Sequence, residues 1–233
     1  MSQHRLDVLA IGNAIVDVIA DATDDFVASI GMPKGSMRLI DEAEADSLYQ
    51  AMAPARELSG GSAANTVAGL ASFGLKAGFI GQLADDQLGQ IFTHDIRSLG
   101  VEFETPPRSD VGATARCLIL VTPDAQRTMN TFLGAAQELE PHTVDPAHVA
   151  SAKILYLEGY LWDPAAPRAA MYAAMDAARE AGTKVAFTLS DGFVVERHRD
   201  DLNRLLDARR IDILFGNEAE IFHLAGTQDD FSI

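Results

Sequence analysis

Between residues 58 and 81 the chain runs strand, glycine pair, helix, glycine, strand, and this unit constrains the fold more than any other feature. Gly60-Gly61 stands where an extended run gives way to a helix. Ser62 suits the N-cap, and Ala63, Val67, Leu70 and Ala71 fall at i, i+4, i+7 and i+8, one apolar stripe. Gly74 sits where a left-handed glycine closes a helix, and Ala77-Gly78-Phe79-Ile80-Gly81 reads as a buried strand. The glycine pair lets another molecule approach the backbone, since no Cβ intervenes. The helix start beside it offers free N–H groups and partial positive charge to oxygen ligands. Asn65, one turn on, carries an amide that both donates and accepts, which suits a sugar diol. A plain helix start with a tight turn uses the same residues, so both readings stand at this stage.

The same alternation continues along the chain. Residues 6–11 read as a buried strand ending at Gly12-Asn13, and 14–20 continue extended with Asp17 as the one charge in an apolar run. A buried carboxylate is costly unless paired or bound to a ligand, whereas on an edge strand it simply faces solvent. Short helices are expected at 23–30 and from Asp41 to Met52, around a strand at 37–40. Residues 86–98 form a helix capped by Asp85 or Asp86, and a hairpin follows within 101–132. Strands at 150–157, 184–189 and 211–215 alternate with helices at 167–181, 200–208 and from Ala219. This pattern means an α/β fold with a doubly wound, mainly parallel sheet, whose ligands bind beyond the C-terminal strand ends. Asn13, Gly60, Glu158, Ser190 and Asn217 fall at such ends.

Composition narrows the function. A net charge of −16 argues against a nucleic-acid surface, which needs clustered Lys and Arg. The single Cys117 forms no internal disulfide, and no stretch is apolar enough to span a bilayer. Met1 to Arg5 lead straight into a strand and not into a signal peptide, so a soluble, cytoplasmic protein without membrane or nucleic-acid partners is expected. Zinc spacings, Gly-x-Ser-x-Gly, a Walker pattern and a dinucleotide fingerprint are all missing, which leaves an oxidoreductase a distant reading.

Gly60-Gly61-x-x-x-Asn65, then Gly74, Gly81, Asp85-Asp86-x-x-Gly89 and Gly100-Val101, resembles the N-terminal signature of the ribokinase-like (PfkB) carbohydrate kinases. The run Asp212-Ile-Leu-Phe-Gly-Asn-Glu218 is similar to the adenosine-kinase branch. The resemblance implies one ribokinase-like, Rossmann-like domain over 1–233, with a small β-lid formed by about 14–40 and 101–132. It implies an ATP-dependent phosphotransferase acting on a primary hydroxyl of a sugar or nucleoside, with an adenosine-like substrate favoured. Substrate would be held by Asn13, Asp17, Gly60, Gly61 and Asn65, with Glu158 and Phe132 beside them; Phe132 serves equally well as lid core. Arg127, Ser190 and Asn217 would lie on the phosphate or nucleotide side. Glu220, in Asn217-x-x-Glu220, would meet Mg²⁺ through water, although a helix N-terminus with favourable acids predicts the same residues. The family's Gly-Ala-Gly-Asp element, which supplies the anion hole and the base, is missing. Measured against the family the chain looks C-terminally truncated, with its expected base beyond Ile233. Residues 1–233 alone are then expected to be inactive, and the exposed sheet edge invites a homodimer. A non-catalytic sugar- or nucleoside-binding protein is the alternative.

Overall fold

The computed structural model describes residues 5–226, so the expectations attached to residues 1–4 and to the end at Ile233 lie outside it. In chain order the strands are β1 (Leu6–Ile11), β2 (Ile15–Asp21), β3 (Met37–Leu39), β4 (Arg56–Gly60), β5 (Ala77–Ile80), β6 (Val101–Phe103), β7 (Ala115–Val121), β8 (Arg127–Phe132), β9 (Ala152–Glu158), β10 (Lys184–Thr188) and β11 (Ile213–Phe215). The helices are α1 (Asp24–Ser29), α2 (Glu42–Ala51), α3 (Ser62–Ser72), α4 (Gln87–Ser98), α5 (Pro146–Ala150), α6 (Ala165–Ala181), α7 (Gly192–Asp207) and α8 (Glu218–Ala225).

Six parallel strands form the main sheet in the order β11-β10-β9-β1-β5-β6. Successive residues of β1 feed different cores. Leu9 and Ile11 join Leu155, Leu157 and Phe187 under Met171 and Met175 of α6. Ala10 points the other way, to Phe79, Val67 of α3 and Phe92 of α4. Burial on both faces is why these strands read as continuous apolar runs. Gly182, at φ 75°, ends α6 as expected of a left-handed C-terminal glycine.

A second sheet has the order β3-β8-β7-β2-β4 and is mixed: β2 runs parallel to β7 but antiparallel to β4, and β7 and β8 form a hairpin. Val16, Val18 and Leu118 point from it into the shared core, while Ile15, Cys117, Ile119 and Met129 line its other face. By strand alternation Asp17 lies on that second face. It is not on an edge, since β2 sits between β7 and β4. The chain passes from β1 of one sheet to β2 of the other through Gly12-Asn13-Ala14, and all three are buried.

Two expectations need correction. The lid was expected from 14–40 and 101–132, but β6 belongs to the main sheet and β4 to the second. The cause is packing: Phe103 of β6 stacks with Phe79 and Phe92 at 5.9 and 5.5 Å, which holds the strand under α4. The helix expected at 200–208 begins eight residues earlier, at Gly192, capped by Asp191 accepting from the Phe193 amide at 2.7 Å. A non-helical turn at His198 (φ −118°, ψ 19°) breaks its apolar period, which hid the first half.

Candidate functional site

The site is built where the two sheets meet. Glu158, the last residue of β9, is 1% exposed and is fully engaged. Its Oε2 accepts from the Asn13 backbone N–H at 2.6 Å and from Asn13 Nδ2 at 2.9 Å. Its Oε1 accepts from the Ala63 N–H at 3.1 Å and from the Ser62 hydroxyl. Ser62 therefore does not cap α3 as expected; Gly61 occupies the cap position, and the carboxylate that satisfies the helix start comes from β9. Gly61 adopts φ 99°, and a Cβ there would stand 2.5 Å from the Asn13 carbonyl oxygen. Only glycine permits that approach.

Asp17 is the opposite case. Among the described residues no group donates a hydrogen bond to it. Burial pushes its carboxyl up to about 6, against a lowering by the Arg127 charge. Gly60 lies across it in the β2–β4 ladder region, where a Cβ would come within 2.5 Å of both carboxylate oxygens.

A cavity of about 510 Å³ opens here. Its floor holds Asn13, Asp17, Gly61, Ser62 and Glu158. One wall is the open face of the second sheet, with Ile15, Met37, Leu39, Cys117, Met129 and Leu133. Met37 and Leu39 are 50% and 61% exposed, so this apolar wall has room to cover something flat. Burial pushes the Cys117 thiol up to about 11, which leaves it inert at neutral pH. The far rim carries Tyr160, Asp163, Asp191, Phe193 and Arg197. Arg197 and His198 both hold Asp163, and the hydrogen bonds of Arg197 keep that carboxyl below its ordinary range despite burial. Sequence reasoning missed Phe193 and Arg197 because they stand on the hidden first half of α7.

The remaining predicted residues lie outside this cavity. Asn65 is exposed on α3, one turn beyond Gly61. Phe132 packs into the core with the Arg116 guanidinium 5.4 Å from its ring centre. Arg127 is exposed at the start of β8 and reaches Asp17 through its charge. Ser190, at φ 69°, accepts from the Gly159 N–H at 3.0 Å and donates to the Thr188 carbonyl, joining the ends of β9 and β10. Asn217 and Glu220 form a reciprocal capping box: Glu220 accepts from the Asn217 backbone and side-chain amides at 3.0 and 2.9 Å, and Asn217 Oδ1 accepts from the Glu220 N–H at 2.9 Å.

Among the described residues no group of three His, Cys, Asp or Glu could hold a metal directly. Each Glu220 oxygen is already bonded once and keeps a lone pair, which suits contact with a hydrated cation through water. Nor is any helix among the described residues long and apolar enough to cross a membrane.

Comparison with known proteins gives the family of the chain. The model of the pfkB family carbohydrate kinases matches residues 7–232. The chain is similar to the adenosine kinase from Sinorhizobium meliloti, with 49% identity and a TM-score of 0.86 over 97% of this chain and 69% of that one. It is also similar to a probable sugar kinase from Rhizobium etli CFN 42, with 46% identity and a TM-score of 0.87 over 97% of this chain and 68% of that one. Among curated proteins, a 5-dehydro-2-deoxygluconokinase from Geobacillus kaustophilus is 30% identical over 69% of this chain. The chain spans about half the length of that relative, 50% of it.

Proposed function

Because the chain belongs to the pfkB family of carbohydrate kinases, we propose that it forms the acceptor-binding part of an ATP-dependent phosphotransferase acting on a primary hydroxyl. A sugar or nucleoside is the acceptor, and an adenosine-like nucleoside is the first choice. One observation carries this reading: Asp17 is a half-buried carboxylate to which no group among the described residues donates, lining a cavity beside the apolar face of the second sheet. Such a carboxylate accepts hydrogen bonds from two neighbouring hydroxyls, each charge-assisted bond contributing on the order of 1.5–3 kcal/mol. The wall around Met37, Leu39 and Met129 covers a base.

Asn13, Gly60 and Gly61 complete the hydroxyl-binding floor, with Asn65 one turn further along α3, outside the cavity as it stands. Arg127 lies on the side from which the phosphoryl group comes, with Ser190 and Asn217 toward the nucleotide. ATP supplies the phosphoryl group and Mg²⁺ its charge neutralisation, the metal meeting Glu220 through water. The chain's own part is to bind and orient the acceptor, which is a large share of phosphoryl-transfer catalysis. Each relative named above is a kinase, so the binding-only alternative draws no support from them.

A thermal-shift screen of the purified chain against nucleosides, free sugars and sugar phosphates tests this. Adenosine is expected to raise the melting temperature more than ribose does. No response to any nucleoside or sugar would contradict the proposal.

A further inference from the structure

A second groove, of about 690 Å³, lies between the first half of α6 and the middle of α7, lined by Arg168, Tyr172, His198, Arg199, Asp201 and Arg204 among others. That room is ordinary for a small-molecule site. In a chain of net charge −16, four arginines gather here, Arg197 being the fourth. Two of them are already used: Arg197 holds Asp163 and Arg204 holds Asp201. Asp201 also accepts from Trp162 Nε1 at 3.0 Å and from the Tyr172 hydroxyl at 2.9 Å, so it has little left for a further cation. Glu196 and Asp200 are exposed at the groove and pair with no arginine among the described residues.

Arg168 and Arg199 differ from that pair. Both are half-buried, both are held by a backbone carbonyl, and neither has a carboxylate partner among the described residues. Arg168 Nη1 donates to the Trp162 carbonyl at 3.2 Å and meets His198 Nδ1 at 3.3 Å. A guanidinium can only donate, so Nδ1 accepts and the His198 Nε2–H donates to Asp163 at 2.8 Å. Arg199 Nε donates to the His223 carbonyl at 2.6 Å. These bonds fix where the two heads sit. They leave Nε and Nη2 of Arg168, and both terminal nitrogens of Arg199, without an acceptor among the described residues.

We infer that this groove is a second ligand site, which takes a polyanion with at least two phosphoryl or carboxyl groups, one on Arg168 and another on Arg199. A positive charge held partly out of water without a counter-charge costs stability that a bound anion recovers. The rigid fork of guanidinium donors matches phosphate and carboxylate geometry, and its hydrogen bonds to them are charge-assisted. The two heads come from different helices and line a groove larger than one small anion fills, so a ligand with a single acidic group satisfies only one of them. The chain's overall negative charge does not forbid this, since salt screens distant charges beyond about 10 Å at 0.1 M while close pairs persist. The groove and the acceptor cavity share only Arg197, so the site stands whatever the cavity binds.

Calorimetric titration of the full chain with pyrophosphate tests the inference, in the absence of Mg²⁺, with inorganic phosphate as the one-group comparison and with or without saturating adenosine. Pyrophosphate is expected to bind whether or not adenosine is present, and about 10-fold more tightly than phosphate. Arg168→Gln and Arg199→Gln are each expected to weaken it by about 10-fold or more while adenosine binding stays as it was. No heat with pyrophosphate on the unaltered chain would overturn the inference. So would displacement of pyrophosphate by adenosine, which would put it in the acceptor cavity, or an affinity for pyrophosphate unchanged in both variants. Phosphate binding as tightly as pyrophosphate would overturn the two-group ligand. If one variant fails to fold, the other and the competition with adenosine decide. Absence of adenosine binding on the unaltered chain would count against the acceptor-site reading alone, and the two variants would still decide this one.

Discussion

Glu158 and Asp17 line one cavity, yet they have opposite surroundings. Glu158, at the end of β9, collects four donors from Asn13, Ser62 and Ala63. Asp17, in the middle of β2, collects none among the described residues, and burial raises its carboxyl to about 6. A carboxylate saturated by the protein holds the protein's shape. One left without donors in a half-buried place costs stability and is ready for a ligand's hydroxyls. The two acids thus divide the work of the site between scaffold and contact, and their substitutions should move stability in opposite directions.

The largest expected effect is at Glu158. Glu158→Ala leaves three buried N–H groups and a hydroxyl without their acceptor, at about 1–3 kcal/mol for each group left unsatisfied. We expect a destabilisation on the order of 3–5 kcal/mol in urea unfolding, with water recovering part of the sum. A loss below about 1 kcal/mol would mean that the four bonds do not hold the site.

Asp17→Asn should stabilise. The folded carboxyl titrates near 6 and the unfolded one near 3.8, so between these values the folded state holds a proton the unfolded state has released. Stability therefore falls as pH rises through that window, and the penalty is complete above it. The shift corresponds to about 2–3 kcal/mol at pH 7. Asparagine carries no such penalty, so the variant's advantage should grow from pH 4 to pH 7 and then level off. Unfolding curves at both pH values that show a constant difference would remove Asp17 from this account.

Gly61→Ala comes next. Its φ of 99° and the 2.5 Å approach to the Asn13 carbonyl would force the α3 start away from β1, at a cost of about 2 kcal/mol. If the variant is as stable as the parent, the junction is looser than its contacts imply. The smallest effect belongs to Glu220→Ala. Its capping box is local, three residues across, and losing such a cap costs about 1 kcal/mol. A loss matching that of Glu158→Ala would erase the distinction between a local cap and one that ties distant segments together.

That distinction also explains what could be read from the sequence. Local features were legible: the α2 start at Asp41, the acidic start of α8, the Gly74 and Gly182 helix ends, and Asp17 as a lone charge in an apolar strand. Strand ends could be placed, so Asn13, Gly60 and Glu158 could be grouped. What held them together could not be read, because Ser62 and Glu158 stand 96 residues apart and no periodicity links them. Hence Ser62 looked like a cap when it is a donor to a remote acid. The exchange of β4 and β6 between sheets has the same origin. A strand of three to five residues carries too little pattern to declare its neighbours, and Phe103 finds its place only through Phe79 and Phe92. The first half of α7, with Phe193 and Arg197 at the cavity rim, stayed hidden behind the break at His198.

The central claim is that the Asp17 carboxylate is the group that grips the acceptor. It is tested most directly by measuring adenosine affinity by calorimetry between pH 5 and pH 8, on the unaltered chain and on Asp17→Asn. The account predicts that the unaltered chain loses affinity as pH falls through about 6, and that Asp17→Asn binds on the order of 10–100-fold more weakly with no such pH dependence. Equal affinity of the two proteins at pH 8 would contradict it.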